Sequence, residues 1–438
     1  MDAARIWDSA LRSVDPERAI RRIIKRKGSA LTIRGKSYNL RSIRNVWVLG
    51  AGKAAAPMAR AVEGILGKYL SGGIIVTKYG HDLPLKKLEV IEAGHPLPDS
   101  NSLDSAARFI SLAENEIESG DLVLCLLSGG ASSLLVSPAI GISLEDKLDC
   151  TRLLLRSGAD IYDLNAVRKH LSNLKGGGLA RLLAPTSTIV LVLSDVVGDD
   201  LSTIASGPLT PDPSTFGDCL EKIRMLKIED QIPAAVKNRF ELGAAGRVEE
   251  TPKKDDPAFQ NVELHLVGNC AQACEAAARA AKKLGYHPMI LTSRLEGDNG
   301  EAARFHMSTA LEIVFQNRPL RRPACIISGG ETTVRVLGTG KGGRNQEFAM
   351  HCAKALARVP SPCIVASLGT DGTDGPTDAA GAIADNTTLT RSMKFGTHFF
   401  SDSLNNNDSY NFFRRLGDLI TTGPTRTNVM DLHLVMIG

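Results

Sequence analysis

A short glycine-rich stretch, "SGGASS" at 128–133, follows the apolar run "DLVLCLL". Its glycines would let backbone amides approach a ligand, and its hydroxyls can donate to phosphate oxygens. The pattern predicts a nucleotide-phosphate loop; a turn of small residues that lets a helix pack closely is the alternative. A serine hydrolase is disfavoured, because no G-x-S-x-G sequence surrounds the serine. The residues expected to bind phosphate are Ser128, Gly129, Gly130, Ala131, Ser132 and Ser133.

A second glycine loop lies in "VLGAGKAA" at 48–55, where a strand pattern changes to a helix pattern. Gly52 and Lys53 would then stand at a helix N-terminus, which favours an anion. A dinucleotide fingerprint would require an acid about twenty residues later, and the next strand offers Lys78 instead. A packing turn with a solvated lysine is the alternative. Lys175, before the glycines of "LKGGGLA", is also expected to meet phosphate.

Two aspartates follow predicted strands in glycine-rich turns. Asp195 ends "STIVLVLSD", and Asp371 follows "PCIVASLGT". Carboxylates in such positions can hold Mg²⁺, and one of them can accept a proton from a substrate hydroxyl. We therefore predict Asp195 as a catalytic residue and both aspartates as metal ligands, with solvated turn acids as the alternative.

The stretch "TVRVLGTGKGGRNQE" at 333–347 contains two arginines suited to clamping an anion. Arg335 alternates with Val334 and Val336, which predicts a strand over "TTVRVLG" with the arginine on the face opposite the valines. Arg344 and Asn345 are predicted to open a helix and to bind substrate. Together these lysines, arginines, amides, hydroxyls and acids are typical of phosphoryl transfer, which depends on positioning and charge neutralisation.

The elements that position these residues alternate between short apolar strands and helices, which predicts parallel α/β sheets. The polar segment "RVEETPKKDDPAF" at 247–259 is the best linker candidate. We therefore predict two α/β domains, over 1–249 and 250–438. The first is expected to be a Rossmann-like parallel sheet with helices on both faces, and the active-site cleft is expected between the domains.

Composition limits the class of protein. The 438 residues are 43% hydrophobic and 23% charged, with a net charge of +4, as in soluble globular chains. The basic segment at 18–28, "RAIRRIIKRKG", predicts an amphipathic surface helix rather than a nucleic-acid site. The eight scattered cysteines are expected to be small buried hydrophobes. Without a signal peptide or a long apolar run, we expect a cytoplasmic protein with no membrane or nucleic-acid partner, and a homodimer is left open.

Nine motifs in combination resemble the class II glycerate kinases over about residues 45 to 432. They are "GAGKAA", "HPLPD", "LLSGGASSLL", "NAVRKHLSNLKGGGLA", "SDVVGDDLSTIASGP", "GGETTV", "GGRNQE", "GTDGTDGPTDAAGA" and "TGPTRTNVMD". The second half is similar to that family's MOFRL domain. The resemblance implies phosphorylation of D-glycerate by ATP with Mg²⁺, and 2-phosphoglycerate is the preferred product.

The resemblance also implies roles for two basic residues. Lys53 matches the catalytic lysine of the first glycine loop, and Arg335 is chosen as the catalytic arginine, with Arg344 as its rival. Two other functions stay open at this stage. A hydroxypyruvate reductase using NAD(P)H would fit the loose dinucleotide fingerprint, and a non-catalytic sensor of sugar acids or nucleotides would fit the binding loops.

Overall fold

A computed structural model describes residues 2–438, which form two compact units. The parallel-sheet unit comprises residues 20–193 and 200–267, and the mixed-sheet unit comprises residues 2–19, 194–199 and 268–438. Each unit contains its own six-stranded sheet. The predicted α/β class is therefore confirmed.

The strands are numbered along the described chain. They are β1 (Ile24–Lys27), β2 (Ala30–Ile33), β3 (Lys36–Asn39), β4 (Val46–Ala51), β5 (Gly72–Lys78), β6 (Glu89–Ala93), β7 (Leu122–Leu127), β8 (Ser187–Leu193), β9 (Val262–Gly268), β10 (His287–Leu295), β11 (Ala324–Gly330), β12 (Cys363–Gly369), β13 (Gly381–Asp385), β14 (Leu419–Ile420) and β15 (Asp431–Ile437).

The helices are numbered in the same way. They are α1 (Asp2–Ser13), α2 (Pro16–Ile23), α3 (Ala55–Leu66), α4 (Ser100–Asn115), α5 (Ala131–Leu134), α6 (Leu144–Arg156), α7 (Ile161–His170), α8 (Gly178–Leu183), α9 (Phe216–Met225), α10 (Ala234–Ala244), α11 (Cys270–Lys283), α12 (Asn299–Gln316), α13 (Arg344–Leu356), α14 (Thr388–Ser392), α15 (Phe399–Asn405) and α16 (Ser409–Leu416). Among residues 2–438, every helix is too short or too polar to span a bilayer.

The parallel sheet has the order β6-β5-β4-β7-β8-β9. Strands β4, β7 and β8 are almost wholly buried, which explains their continuous apolar sequences. In chain order this is the Rossmann arrangement 3-2-1-4-5-6, and the direction of winding changes between β4 and β7. In open α/β sheets, ligands bind beyond the carboxyl ends of the strands at such a change.

The mixed sheet has the order β10-β11-β15-β12-β13-β14. Among the strands described in this sheet, only β10 and β11 pair in parallel, and β15 inserts antiparallel between β11 and β12. His433 at the middle of β15 therefore faces Ser328 on one side and Ser367 on the other. The sequence patterns predicted β11 and β12, but not the central strand β15.

The predicted strand "TTVRVLG" is wrong. Strand β11 ends at Gly330, and the residues from 331 to 343 form a loop with one isolated bridge between Thr333 and Asp298. The main-chain amides of this loop donate to Asn406, Asn407 and Asp408 instead of to a neighbouring strand. Arg335 therefore does not lie on a strand, and the predicted placement of its side chain on the strand face opposite Val334 and Val336 does not apply.

The basic segment at 18–28 is helical only in its first part. Helix α2 ends at Ile23, and residues 24–27 form β1, which pairs antiparallel with β2. The turn at Gly28, which has a φ of +60°, directs the chain back onto β2, so the backbone groups of 24–27 bond across the hairpin. The prediction of one helix through Gly28 is therefore wrong.

The predicted domain boundary at residues 249 and 250 stays a prediction. The compact units place 200–267 with 20–193, because β9 extends the parallel sheet beyond β8. They also place 194–199 with the mixed sheet. All eight cysteines are buried and unpaired, as expected of small hydrophobic residues.

Candidate functional site

The two glycine loops of the parallel-sheet unit follow β4 and β7, the strands that flank the change in winding direction. Two hydrogen bonds with main-chain donors join them. The N–H of Lys53 donates to the carbonyl oxygen of Gly129 at 2.9 Å. The N–H of Ala54 donates to the hydroxyl of the buried Ser128 at 3.0 Å. The predicted phosphate loop and the predicted catalytic lysine therefore belong to one arrangement.

Glycine is required at two positions of this arrangement. Gly52 has a φ of +131°, and a Cβ there would lie 2.2 Å from the hydroxyl oxygen of Ser128. Gly130 has a φ of +87°, and its Cβ would lie 2.8 Å from Cδ2 of His95 and 3.5 Å from Cγ of Lys53. The side chains of His95 and Lys53 thus approach the backbone of Gly130 from the same corner.

The second half of the phosphate loop is held by a deeply buried lysine. Lys175 donates from Nζ to the carbonyl oxygen of Ser132 at 2.8 Å. Burial lowers the pKa of Lys175 well below its ordinary value, and the charges of Lys147 and Arg168 lower it further. The Ser132 hydroxyl lies 3.0 Å from that of Ser206, so the predicted phosphate residues Lys175 and Ser132 are adjacent.

The remaining predicted phosphate residues lie on the same turn. Ala131 is buried and begins the four-residue helix α5. Ser133 is half-buried on that helix, and its N–H donates to the carbonyl oxygen of Gly130 at 3.1 Å. The structure therefore brings Gly52, Lys53, Lys175 and the whole 128–133 segment together.

Arg344 and Asn345, predicted to bind substrate, begin α13 in the mixed-sheet unit. The Arg344 guanidinium donates to Asp431 from Nε and Nη2, at 2.5 and 3.2 Å, and to Glu331 from Nη1. Asn345 is fully buried, and its side-chain amide donates to Asp431 at 2.9 Å and to Asp374 at 3.3 Å. Both side chains are already engaged with acids of their own unit.

The carboxylates around Arg344 shift the pKa of its guanidinium. Burial would lower the pKa of the Arg344 guanidinium, but the carboxylates of Asp431 and Glu331 outweigh it and raise that pKa. The carboxyl of Asp374 is buried and accepts hydrogen bonds from the main-chain N–H groups of Asn345 and Gln346, at 3.0 and 2.9 Å. These contacts cap the first turn of α13, which fits an anion at a helix N-terminus.

Arg335, the predicted catalytic arginine, is exposed in the 331–343 loop. The loop is anchored by Asn407, whose side-chain oxygen accepts from the main-chain N–H groups of Leu337 and Gly338 at 2.8 and 3.0 Å. The side-chain nitrogen of Asn407 donates to the Arg335 carbonyl oxygen at 3.3 Å and to the buried Glu347 at 3.1 Å. Sequence patterns gave no signal for Asn407, because its partners lie some seventy residues away.

The predicted metal ligands Asp195 and Asp371 both lie in the mixed-sheet unit, next to the segment from 425 to 430. Asp195 accepts a hydrogen bond from the Asn428 side chain at 3.1 Å. Asp371 accepts from the hydroxyl of Thr373 at 2.9 Å, and its carbonyl oxygen accepts from the Thr425 N–H at 3.2 Å. Asp195 was expected with the first domain, but the structure groups it with the second unit.

A magnesium ion fits this pair only with help from other ligands. No group of three or more His, Cys, Asp or Glu residues within 2–438 could hold a metal. Magnesium usually keeps several waters and takes one or two protein carboxylates together with substrate phosphates. Even one of these aspartates could be the protein's contribution, and Mg²⁺ binding by Asp195 and Asp371 stays a prediction.

Comparison with known proteins identifies the family of the chain. Residues 2–241 match a domain of unknown function, DUF4147, and residues 324–431 match the MOFRL family. The chain is 41% identical to "Glycerate 2-kinase" of Pyrococcus horikoshii, covering 99% of this chain and 96% of the relative. The chain belongs to the glycerate kinase family that combines these two regions.

Other relatives also match this chain over nearly its full length. A "D-glycerate 2-kinase" of Thermotoga maritima is 42% identical over 99% of this chain and 97% of the relative. A "Putative hydroxypyruvate reductase" of Agrobacterium vitis is 40% identical, over 99% and 93%. A crystal structure of glycerate kinase from Thermotoga maritima superposes with a TM-score of 0.85 at 41% identity, covering 100% of this chain and 99% of that one. The predicted family is confirmed.

Proposed function

We propose that this chain transfers the γ-phosphoryl group of ATP to the 2-hydroxyl of D-glycerate, giving 2-phosphoglycerate and ADP. The observation that carries the proposal is the junction of two glycine loops at the change in winding direction, where the Lys53 N–H bonds to Gly129 at 2.9 Å. Such positions bind nucleotides in open α/β sheets. The glycerate 2-kinase names of two relatives, each more than 40% identical over nearly the full length, supply the reaction.

In the proposed mechanism, the parallel-sheet unit holds the nucleotide. Backbone amides of 129–131 and the hydroxyls of Ser132 and Ser133 bind phosphate oxygens, and Gly52 allows the chain to pass beside them. The Ser128 N–H already donates to the Ala51 carbonyl oxygen at 3.1 Å. Lys53 stabilises the negative charge that develops on the transferred group. A single charge partner of this kind contributes on the order of a hundredfold or more to the rate.

The mixed-sheet unit supplies the acids and the second cation. Asp195 orients the attacking hydroxyl and accepts its proton, while Arg335 neutralises charge on the transferred group. When bound, Mg²⁺ would be held by Asp195 and Asp371 and would neutralise phosphate charge. The expected cleft between the domains stays a prediction.

Substrate binding by Arg344 and Asn345 also stays a prediction, and it has a structural cost. For Arg344 to clamp a carboxylate, its guanidinium must leave Asp431 and Glu331 or share them through its remaining N–H groups. Asn345 would have to give up its contacts with Asp374 and Asp431. The two residues are better placed to orient the start of α13 than to meet a ligand.

The rival function is reduction of hydroxypyruvate with NAD(P)H, the activity in the name of the Agrobacterium vitis relative. A dinucleotide site of the usual kind places an acid at the end of the second strand, where it binds the ribose. Here the second strand of the parallel sheet, β5, ends at Lys78. A lysine at that position disfavours NAD as the cofactor. A loss of absorbance at 340 nm that depends on hydroxypyruvate would show whether the protein oxidises NADPH.

One experiment decides between the functions. The purified protein is incubated with ATP, Mg²⁺ and D-glycerate, and the product is identified by phosphorus NMR. We expect 2-phosphoglycerate, at a rate that requires both ATP and glycerate. A 3-phosphoglycerate product would contradict only the proposed transfer to the 2-hydroxyl. If no phosphoglycerate forms but hydroxypyruvate causes NADPH oxidation, the kinase function itself is contradicted. Cytoplasmic location, the absence of a nucleic-acid partner and a homodimer stay predictions.

A further inference from the structure

One side of α7, in the parallel-sheet unit, carries two hydrogen-bond donors that lack an acceptor. Asn165 is 5% exposed, and its side-chain oxygen accepts from the hydroxyl of Ser206 at 3.0 Å. Its side-chain nitrogen is buried and has no hydrogen-bond partner in the described chain. Three residues later, and so on the same side of the helix, Arg168 is half-buried and forms no ion pair within 2–438.

Two buried lysines lie near enough to Arg168 to feel its charge. Lys175 and Lys147 are 5% and 8% exposed, and neither has a carboxylate partner among residues 2–438. Lys175 donates to the Ser132 carbonyl oxygen at 2.8 Å and Lys147 to that of Leu171 at 2.5 Å. Burial and the neighbouring charges, including that of Arg168, lower the pKa of both lysines, in Lys147 to about 7. Among residues 2–438 no carboxylate pairs with these amines, and a bound anion nearby would favour their charged form.

The other cations near the end of α7 already have a structural role. Lys169 pairs with Asp212 at 3.3 Å, and Arg239 donates from Nε to the His170 carbonyl oxygen at 2.8 Å. The bonds from Arg239 and Lys147 to main-chain carbonyl oxygens satisfy the last carbonyl groups of the helix. Within the described residues Arg168 makes neither kind of contact, so its guanidinium fork stays available.

The donors point to a small oxyanion next to the phosphate loop. Asn165 is linked through Ser206 to the hydroxyl of Ser132, by two contacts of 3.0 Å each. We propose that Arg168 and Asn165 bind the carboxylate of the hydroxy-acid substrate beside Ser132. The assignment rests on the proposed function, because glycerate is the substrate that brings a carboxylate to this unit.

A carboxylate suits this position better than a nucleotide phosphate. An arginine fork and one amide donor supply three N–H groups, which match the two oxygens of a carboxylate. The phosphates are already assigned to the backbone amides of the 129–131 turn and to Lys53. Arg344, the earlier candidate for the carboxylate, is engaged with Asp431 and Glu331.

The test compares Arg168→Ala, Arg168→Lys and Asn165→Ala with the control Arg156→Ala, which removes an exposed cation from the end of α6. Calorimetry measures binding of D-glycerate, and of glycerol as the analogue without a carboxylate, to the full chain in the presence of ADP. Kinetics then give KM for glycerate and for ATP separately. Circular dichroism checks folding, and Arg168→Lys, which keeps the charge, serves if Arg168→Ala does not fold.

We expect Arg168→Ala and Arg168→Lys to weaken glycerate binding by roughly tenfold or more, as for a charge-assisted hydrogen bond. KM for ATP should stay within about twofold, since the phosphate loop is intact, and Arg156→Ala should match the wild type. An unchanged affinity for glycerate, or wild-type protein that does not bind glycerate, would overturn the assignment.

An increase in KM for ATP with unchanged glycerate binding would also overturn it, and would give the donors to a nucleotide phosphate. The same experiments distinguish failure of the carboxylate site from failure of the proposed kinase reaction. If the wild type binds glycerate through Arg168 but forms no phosphoglycerate, the carboxylate site stands and the kinase function does not.

Discussion

Arg344 and Asp431 form a two-point ion pair inside the mixed-sheet unit, with Nε 2.5 Å from Oδ2 and Nη2 3.2 Å from Oδ1. The Asp431 side chain is only 1% exposed. A buried carboxylate that loses its partner is left in a medium that solvates it poorly. The pair gives Arg344 a structural role inside its own unit, and it distinguishes this arginine from the exposed Arg335, its rival in the sequence.

Replacing the two arginines should produce different defects. Arg344→Ala leaves Asp431 buried without its counter-ion, so we expect the free energy of unfolding to fall by about 3 kcal/mol or more. Arg335→Ala should change that free energy by less than about 0.5 kcal/mol, because Arg335 is exposed, and should lower kcat by on the order of a hundredfold. Urea unfolding and steady-state kinetics of both variants check this. Loss of stability in Arg335→Ala with normal kcat would reverse the assignment.

Lys53→Ala tests the charge at the first glycine loop. We expect kcat to fall by on the order of a hundredfold or more, because an interaction that strengthens in the transition state is lost. The unfolding free energy should change little, and Lys86→Ala, which removes an exposed lysine of the same unit, is the matched control. A kcat equal to that of the wild type would remove Lys53 from the mechanism.

Ser128→Ala removes the hydroxyl that joins the two glycine loops. The buried N–H of Ala54 would then lose its acceptor, and such an unsatisfied group costs about 1–3 kcal/mol. We expect denaturant unfolding to report this loss and kcat to fall as well, since one of the two bonds that join the loop of Lys53 to the phosphate loop is removed. Ser111→Ala on the exposed side of α4 should affect neither quantity. An unfolding midpoint unchanged in Ser128→Ala would show that the loops hold together without this bond.

Asn407→Ala should release the loop that carries Arg335. The main-chain N–H groups of Leu337 and Gly338 lose their shared acceptor, so we expect their hydrogen exchange to accelerate by about tenfold. The fall in kcat should exceed any rise in KM for ATP, because a transition-state contact is disordered rather than a nucleotide contact. Exchange mass spectrometry and kinetics measure both effects, with exposed Asn405→Ala as control. Normal exchange at 337–338 would contradict the anchoring role.

Glu250 makes stability depend on acid pH. Burial alone would raise the pKa of its carboxyl, but hydrogen bonds from His170, at 2.7 Å, and from the Phe216 N–H, at 3.0 Å, lower it to about 2. In the unfolded chain a glutamate titrates near about 4.3. The folded state therefore gains stability from this carboxylate above that value and loses it progressively as pH falls towards about 2.

Glu250→Gln should remove that part of the acid dependence. We expect the variant to be less stable than the wild type at pH 7 and the difference to shrink by pH 3, which urea unfolding at both values would measure. The control is Glu249→Gln, because the Glu249 side chain is 77% exposed while pairing with Arg181. A constant difference between the wild type and Glu250→Gln at the two pH values would contradict the lowered pKa.

The sequence determined the local features of this protein. Apolar runs ending in glycine predicted β4, β7 and their loops, because a strand buried on both faces needs continuous apolar residues, and a backbone close to another backbone needs glycine. Gly52 and Gly130 show the second reason directly, since a Cβ at either would collide with Ser128 or His95. The combination of short motifs sufficed to predict the family.

The tertiary structure alone decided which distant residues meet. The alternation around Arg335 predicted a strand, but Asn407, seventy residues further along the chain, takes the amides that a neighbouring strand would have needed. Asp195 follows a strand of the parallel sheet, yet it bonds to Asn428 and belongs to the mixed-sheet unit. Periodicity reports only which face of an element is apolar. The partner of each polar group depends on which distant segments the fold brings beside it. Arg344 is therefore paired with Asp431, whereas the guanidinium of Arg168 has no carboxylate partner among residues 2–438.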